Sequence, residues 1–224
     1  MIRLHHVAFS RSFRVMWALE ELGLDYDVVR YRIEDGSLRS PEMLAMNPGG
    51  RAPALEIDGL TMSESGAMLV YLAETRPAAG LSPPPGSPER ARFFEMIGFS
   101  ETMASLLENL NLNHVFLRDP SQASPVVIKL LTARLKASLG ALETMITEDY
   151  AAGPQFTFAD CMLGYNLLAA PYYVALDAFP TLISYLARLE ERPAFVAARE
   201  RDGVQTIYSQ KFYPVPPMPE ASHG

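Results

Sequence analysis

Two serines flank an arginine near the start of the chain, in the stretch VAFSRSFRVMW. Ser10 and Ser12 stand where an apolar segment ends and an amphipathic helix is predicted to begin. A serine at such a point can cap the helix by accepting hydrogen bonds from its first N–H groups. The same place, with the positive end of the helix dipole behind it, also favours an anionic ligand atom. Each serine is therefore both a candidate cap and a candidate donor to an anion.

A second group of residues lies between Asn47 and Ser65, in NPGGRAPALEIDGLTMSES. Pro53 is either a strand-entry proline or a cis-proline that leaves the N–H and C=O of Ala52 free to pair with an extended peptide ligand. Glu64 and Ser65 begin a predicted helix. They are either a cap with a glutamate favoured by the dipole, or a site at which Ser65 binds a carboxylate and Glu64 an ammonium group.

Two arginines in the same region can bind a second carboxylate, although most arginines are solvated surface groups. Arg51 immediately precedes Ala52, and Arg39 lies in the polar loop before it. An amino-acid head site, a backbone clamp and a cationic end together match the three parts of a γ-glutamyl tripeptide. The combination predicts such a ligand more strongly than any one residue does.

The elements that must position these residues follow from hydrophobic periodicity and from the turn residues. The sequence predicts strands over 2–9 and 26–33, a helix over 14–22, a hairpin over 54–62 closed by Asp58-Gly59, and a helix capped by Ser63 or Ser65. Beyond the proline-rich linker it predicts helices over 89–116, 125–147, 158–173 and 179–190. The resulting prediction is an α/β domain over 1–78, a linker over 79–88, an all-helical domain over 89–212 and a proline-rich tail over 213–224. Within the tail, PVPPMPEASHG (214–224) is expected to be disordered.

Composition excludes several classes of function. The net charge of −7, with no cluster of Lys or Arg, argues against nucleic acid as a partner. No apolar run is long enough to span a membrane. The single cysteine, Cys161, excludes a disulfide within the chain, suits a reducing cytoplasm and lies in a predicted core helix. The histidines are too scattered to predict a metal site.

Three segments resemble the cytosolic glutathione transferases. NPGGRAPALEIDGLTMSESGAMLVYLAE is similar to the glutathione-binding segment of that family. SRSFRVMWALEELGLDYDVVRY resembles the first helix and second strand of its bacterial and fungal serine-type branch, and GPQFTFADCMLG resembles its buried capping box, Thr157 with Asp160. The resemblance extends to about Phe212. It implies a thioredoxin-like domain followed by an all-helical domain.

The resemblance also implies roles for the residues above. Glu64 and Ser65 would bind the γ-glutamyl group, Ala52 and cis-Pro53 the cysteinyl backbone, and Arg51 with Arg39 the glycyl carboxylate. In serine-type relatives the activating serine lies four residues before an arginine of the first helix, which selects Ser10 through Arg14, with Ser12 as the runner-up. Glu101 is a candidate contact to the glutathione of a partner subunit in a homodimer. Glutathione is a co-substrate, and no metal is expected.

The expected activity is glutathione transfer: a hydroxyl stabilises the glutathione thiolate, which attacks a small hydrophobic electrophile held by the helical domain. Two alternatives are a glutathione-dependent enzyme with a dedicated substrate (dehalogenase, ether lyase, isomerase or peroxidase) and a non-catalytic interaction module. The first domain has no cysteine, which argues against thiol–disulfide exchange. Pocket candidates, none of them distinguishable from core residues, are Met103, Leu106, Leu107, Tyr165, Tyr172 and Tyr173. Trp17 is expected to be core.

Overall fold

The structure is a computed structural model that describes residues 1–217. Its first part is a four-stranded sheet with helices: β1 (Arg3–His6), α1 (Ser12–Glu21), β2 (Asp27–Arg30), α2 (Pro41–Met46), β3 (Ala54–Ile57), β4 (Leu60–Ser63) and α3 (Ser65–Thr75). The strand order is β2-β1-β3-β4. Strand β1 is parallel to β2 and antiparallel to β3, and β3 is antiparallel to β4. The predicted thioredoxin-like arrangement is confirmed, with strands β1 and β2 shorter than expected.

The hairpin between β3 and β4 has the predicted turn. Asp58 and Gly59 both have positive φ, at 53° and 78°. This is the conformation that matches the twist of two-residue hairpins and that Asp-Gly supplies at low cost. The turn pairs Ala54 with Ser63, so the start of α3, which follows β4 directly, lies beside the start of β3.

The rest of the described chain contains five helices: α4 (Pro88–Asn111), α5 (Pro125–Met145), α6 (Phe158–Ala169), α7 (Pro180–Glu190) and α8 (Pro193–Asp202). A π-helical turn over Leu112–Phe116 extends α4, and short 3₁₀ turns cover 37–39, 77–79, 120–122 and 170–172. Helix α6 lies at the centre of the helical part and packs against α1 and α4. The all-helical second part is confirmed, while its exact division into domains stays a prediction.

Helix α8 was not predicted from the sequence. The sequence PAFVAARERD has no clear apolar stripe. In the structure, its buried residues are Phe195, Ala198 and Asp202. In the fold the helix packs against α1, where Phe195 meets the ring of Trp17 edge-on at 5.0 Å. Trp17 is fully buried, as predicted. Tertiary contacts therefore stabilise α8 where its own periodicity does not indicate it.

The capping box at the start of α6 is confirmed. Asp160 accepts hydrogen bonds from the backbone N–H of Thr157 at 2.7 Å and from its hydroxyl at 3.1 Å. The same carboxyl accepts from the N–H of Ala151 and the hydroxyl of Tyr185. Burial raises the pKa of Asp160, while these four donors oppose the rise. Cys161, next in the chain, is buried as predicted.

The C-terminal segment after α8 packs against the helical part before the described chain ends. Tyr213, the first residue of the predicted tail, is 5% exposed, and its N–H donates to the carbonyl of Tyr172. Tyr213 therefore belongs to the packed part of the chain, and the disorder expected from Pro214 onward stays a prediction. Residues 218–224 of the predicted tail lie outside the described residues.

Candidate active site

The two serines at the start of α1 occupy different environments. Ser12 is fully buried, and its Oγ lies 2.8 Å from Nδ1 of His6, 2.8 Å from Oγ of Ser10 and 3.0 Å from the carbonyl of Val7. It also accepts the N–H of Val7 at 3.2 Å. Ser12 is the first residue of α1 rather than its cap, so the prediction that its side chain caps the helix is wrong. Its hydroxyl instead ties the helix to the end of β1.

Ser10 lines a cleft. Its Oγ accepts from the N–H of Ser12 at 3.3 Å, which places it at the N-terminal end of α1. The preceding residue, Phe9, has φ of 54°, an unfavourable conformation for a bulky side chain. The carboxylate of Asp202 stabilises that turn by accepting the N–H of Phe9 at 3.1 Å. The strained turn presents Ser10 toward open space while Ser12 faces inward.

The cleft beside Ser10 has a volume of about 410 Å³ and lies between the first part of the chain and α4. Loop residues Arg39, Arg51 and Ala52 line one wall. In the described part of the chain, the backbone N–H and C=O of Ala52 have no hydrogen-bond partner. The Ala52–Pro53 bond is cis, as one of the two interpretations of Pro53 predicted. The cleft thus brings Ser10, Ala52 and both predicted arginines together.

A carboxylate on α4 connects two of the cleft arginines. Glu108 lies 2.9 Å from Nη2 of Arg11 and 3.3 Å from Nη1 of Arg51. Arg51 keeps 65% of its side chain exposed, so this pair is weak and available for exchange with another anion. Arg39 also lines the cleft, and its Nη1 donates to the carbonyl of Gly49 at 3.4 Å. The lining therefore carries three guanidinium groups and one carboxylate, which favours a ligand with negative charge.

A buried arginine links α1 to the start of α3. Arg14 is fully buried, and its Nη1 lies 2.6 Å from Oε1 of Glu101 and donates to Oγ of Ser65 at 3.0 Å. Its Nη2 donates to the side chains of Asn166, at 2.8 Å, and Ser100, at 3.3 Å. Burial lowers the pKa of Arg14, and Glu101 acts in the opposite direction. The network fixes Ser65 relative to the helix that starts beside Ser10.

Glu64 and Ser65 do not line the cleft. Glu64 is exposed and is itself the N-cap of α3, with φ of 69°. The prediction that Ser63 or Ser65 caps this helix is therefore wrong. Glu101 bridges the two regions, since its Oε2 lies 3.9 Å from Arg11, which lines the cleft. Its predicted contact with a partner subunit stays a prediction, and within the chain it is the counter-ion of Arg14.

The far wall of the cleft is built from aromatic and apolar side chains. Of the six pocket candidates, Leu107 and Tyr165 line the cleft. The sequence did not single out Ala104, Asn111, Leu112, Phe116, Ala169, Ile207 and Tyr208, which also line it. Burial raises the pKa of Tyr165 to about 12. Its hydroxyl is therefore neutral at physiological pH and donates to the carbonyl of Phe9 at 3.3 Å. Ile207 and Tyr208 follow α8, and no local sequence signal placed them at the site.

Residues 1–217 contain neither a candidate metal-binding cluster nor a helix that could span a membrane. No group of three or more His, Cys, Asp or Glu side chains is arranged to hold a metal ion in that range. Over the same residues, each helix is too short or too polar to cross a membrane.

The chain is similar to known proteins both in sequence and in structure. The family model "Glutathione S-transferase, N-terminal domain" matches residues 1–74. Glutathione S-transferase 3 of Schizosaccharomyces pombe is 29% identical, over 98% of this chain and 96% of its own length. Maleylacetoacetate isomerase of rat is 33% identical, over 77% of this chain and 80% of its own. Among solved structures, a sphingomonad glutathione S-transferase complexed with glutathione superposes with a TM-score of 0.75 at 30% identity, covering 91% of this chain and all of the other.

Proposed function

The chain belongs to the glutathione S-transferase family and is a glutathione transferase, and from this premise we propose that Ser10 is the residue that stabilises the glutathione thiolate. The observation that carries the proposal is the position of Ser10, which lines the cleft, while Ser12 is buried. A serine facing the ligand can donate to sulfur, and a serine with four partners inside the protein cannot.

The chemical task is to present glutathione as a thiolate near neutral pH. A free thiol has a pKa of about 8.5, so only a few per cent is ionised at pH 7. A hydrogen bond from Ser10 to sulfur and the positive end of α1 both favour the ionised form. Lowering the pKa by two units requires about 2.7 kcal/mol, which one charge-assisted hydrogen bond and a helix dipole can supply together. The thiolate then attacks an electrophilic atom held against Leu107 and the aromatic wall.

The remaining contacts to glutathione follow from the same placement. The free N–H and C=O of Ala52 suit the cysteinyl backbone, and Arg51 and Arg39 suit the glycyl carboxylate. Glu64 and Ser65, at the start of α3, suit the γ-glutamyl ammonium and carboxylate groups. A glutathione laid across these groups runs from the cleft toward α3.

The first test is retention on immobilised glutathione together with turnover of a generic aryl halide. We expect both, because the cleft combines a hydrogen-bond donor for the thiolate with an apolar wall for the electrophile. Binding without generic turnover would instead indicate a dedicated substrate. Absence of both would support a non-catalytic module and contradict the proposal.

Arg51→Ala is expected to raise the KM for glutathione about 10-fold with little change in kcat. The lost contact is an exposed charge pair to a group remote from sulfur, and one such hydrogen bond to a charged group contributes about 1.5 kcal/mol. The matched ligand is glutathione esterified at the glycyl carboxylate. The ester should bind the wild-type protein more weakly than glutathione, and the variant, which keeps Arg39, should discriminate less between the two ligands. Equal discrimination by both proteins would place the glycyl end elsewhere.

A dedicated isomerase is the second candidate function. It is favoured by the rat relative named maleylacetoacetate isomerase and by the excess of arginine in the cleft, which suits an acidic substrate. Comparing the turnover of neutral and carboxylate-bearing electrophiles separates this candidate from a general transferase.

The homodimer and the cytoplasmic location implied by the resemblance are also proposals. Sedimentation of the purified chain reports the first, and fractionation of the source cells reports the second.

A further inference from the structure

A continuous line of hydrogen-bonding groups runs inward from Ser10. Oγ of Ser10 lies 2.8 Å from Oγ of Ser12, which lies 2.8 Å from Nδ1 of His6. Nε2 of His6 lies 2.9 Å from the carbonyl oxygen of Asp202 and 3.3 Å from its Oδ1. His6, Ser12 and Asp202 are all fully buried. The line thus joins the cleft to an imidazole that has no contact with solvent.

The partners determine where the protons lie before a ligand binds. The carbonyl of Asp202 can only accept, so Nε2 of His6 carries a proton and, in the neutral ring, Nδ1 is a bare acceptor. Ser12 donates its one proton to that nitrogen at 2.8 Å rather than to the carbonyl of Val7 at 3.0 Å, because the buried nitrogen would otherwise have no donor. Ser10 must then donate to Ser12, because two hydroxyls at 2.8 Å need one donor between them. In this state the Ser10 proton points away from the cleft, and its free lone pair faces the ligand.

We propose that His6 accepts the thiol proton of bound glutathione through Ser10 and Ser12, an inference that rests on the proposed function. The S–H bond breaks as Ser10 gains a proton. Ser10 passes its original proton to Ser12, and Ser12 passes its own to Nδ1 of His6. The products are a thiolate and an imidazolium. After conjugation the proton returns along the same hydroxyls to the departing group or to water.

The transfer also reverses every hydrogen bond in the line. Protonated Nδ1 donates to Ser12, Ser12 donates to Ser10, and the Ser10 hydroxyl now points at sulfur. The N–H of Val7 donates to Ser12 in both states and holds its oxygen in place. Thiol deprotonation and the formation of the hydrogen bond that stabilises the thiolate are therefore one event. Ser10 contacts the reacting atom, while His6 and Ser12 act through it as positioning residues.

The charges around His6 suit a ring that gains and loses a proton. The Asp202 carboxylate lies 3.3 Å from Nε2 and favours the imidazolium. Arg199, 3.1 Å from the other oxygen of Asp202, and Arg30, 2.7 Å from the Asp202 carbonyl, oppose it. Ser12 is the polar group that meets the ring from α1. Full burial disfavours the charged ring. The imidazolium is therefore stabilised most when a negatively charged thiolate forms next to Ser10, at the other end of the hydrogen-bonded line.

The test counts protons when the full-length protein binds glutathione in weakly buffered solution at about pH 6.5, where the free thiol is protonated. Thiolate is measured by its ultraviolet absorbance, and released protons by an indicator dye. S-methylglutathione, which has no thiol proton, corrects for the other groups that titrate on binding. We expect thiolate to form with far less than one proton released per site. Release of one proton per thiolate would overturn the relay.

His6→Asn provides the variant, because the asparagine oxygen can replace Nδ1 as an acceptor but cannot take up a proton. We expect its thiolate to form only at higher pH, with one proton released per thiolate and little change in glutathione KM. His5→Asn is the matched control, since His5 faces away toward Tyr31 and Glu56. A His6→Asn variant with wild-type proton release and pH profile would contradict the proposal. If the variant does not fold, the wild-type proton count decides alone.

The two proposals fail in distinguishable ways. Absence of both a thiolate signal and glutathione binding would contradict the assignment of the cleft. A normal thiolate signal with complete proton release would leave the Ser10 assignment standing and remove only the role of His6.

Discussion

Ser10→Ala is expected to lower kcat/KM for conjugation about 100-fold near neutral pH, the cost of losing one hydrogen-bond donor to a developing or resident anion. The variant lacks the hydroxyl that lines the cleft, so the pKa of the bound thiol rises by about one to two units. Glutathione affinity should change little, because the head and carboxylate contacts remain. The pKa is read from the ultraviolet absorbance of the bound thiolate as pH is varied.

The pH dependence of the conjugation rate shows in which direction the substitution acts. The thiolate is the reactive form, so the rate rises with pH through the pKa of the bound thiol and then levels off. Raising that pKa moves the rise to higher pH, and the difference between variant and wild type should shrink as pH increases. A uniform loss of rate with an unchanged thiol pKa would contradict the role assigned to Ser10.

Ser12→Ala is the comparison for Ser10→Ala. Ser12 has four partners inside the protein, so its removal also costs folding stability and leaves Nδ1 of His6 without a donor. Ser10→Ala should leave the unfolding midpoint nearly unchanged. A thiol pKa that responds to Ser12→Ala and not to Ser10→Ala would exchange the roles of the two serines.

Glu101→Leu is expected to lower the free energy of unfolding by about 3 kcal/mol, because it leaves the buried guanidinium of Arg14 without its carboxylate. We use the low end of the usual range, since 36% of the Glu101 side chain is exposed and solvent weakens the pair. The change is measured by urea unfolding. Glutathione affinity should fall as well, because the same network holds Ser65.

A double substitution separates the lost charge pair from general damage. Arg14→Met removes the guanidinium, and with Glu101→Leu it replaces both charges by apolar groups of similar size. Replacing both members of a buried pair is often close to neutral, so the double variant should be more stable than Glu101→Leu alone. The buried side chains of Ser100 and Asn166 keep a hydrogen bond to each other, which limits their cost. A double variant less stable than Glu101→Leu would show that the buried charge is not the main term.

Much of the site was predictable because its residues are close in sequence or carry local chemistry. The Asp58-Gly59 turn and the capping box of Asp160 each follow from the conformational preferences of a few adjacent residues. The cis bond at Pro53 was one of two interpretations that follow from its place before a strand. Such local conformational preferences do not depend on residues far away in the chain.

Other features depend on residues far apart in the chain. Glu108 is one glutamate among several on a long helix, and only the fold places it between Arg11 and Arg51. Helix α8 has no periodic apolar stripe, and its packing on α1 brings Asp202 to Phe9 and His6. The sequence separation between His6 and Asp202 leaves no local pattern that links them.

The choice between Ser10 and Ser12 shows what the sequence determines and what only the tertiary structure decides. The sequence by itself determined that a hydroxyl stands at the start of the first helix, and it predicted a γ-glutamyl tripeptide site beside it, because turns and residue spacing are local. The resemblance favoured Ser10 through its spacing to Arg14 and kept Ser12 as the runner-up. Only the tertiary structure distinguished the environments of the two serines, since burial and hydrogen-bond partners are properties of the packed chain: Ser12 is enclosed by β1 and His6, and Ser10 lines the cleft.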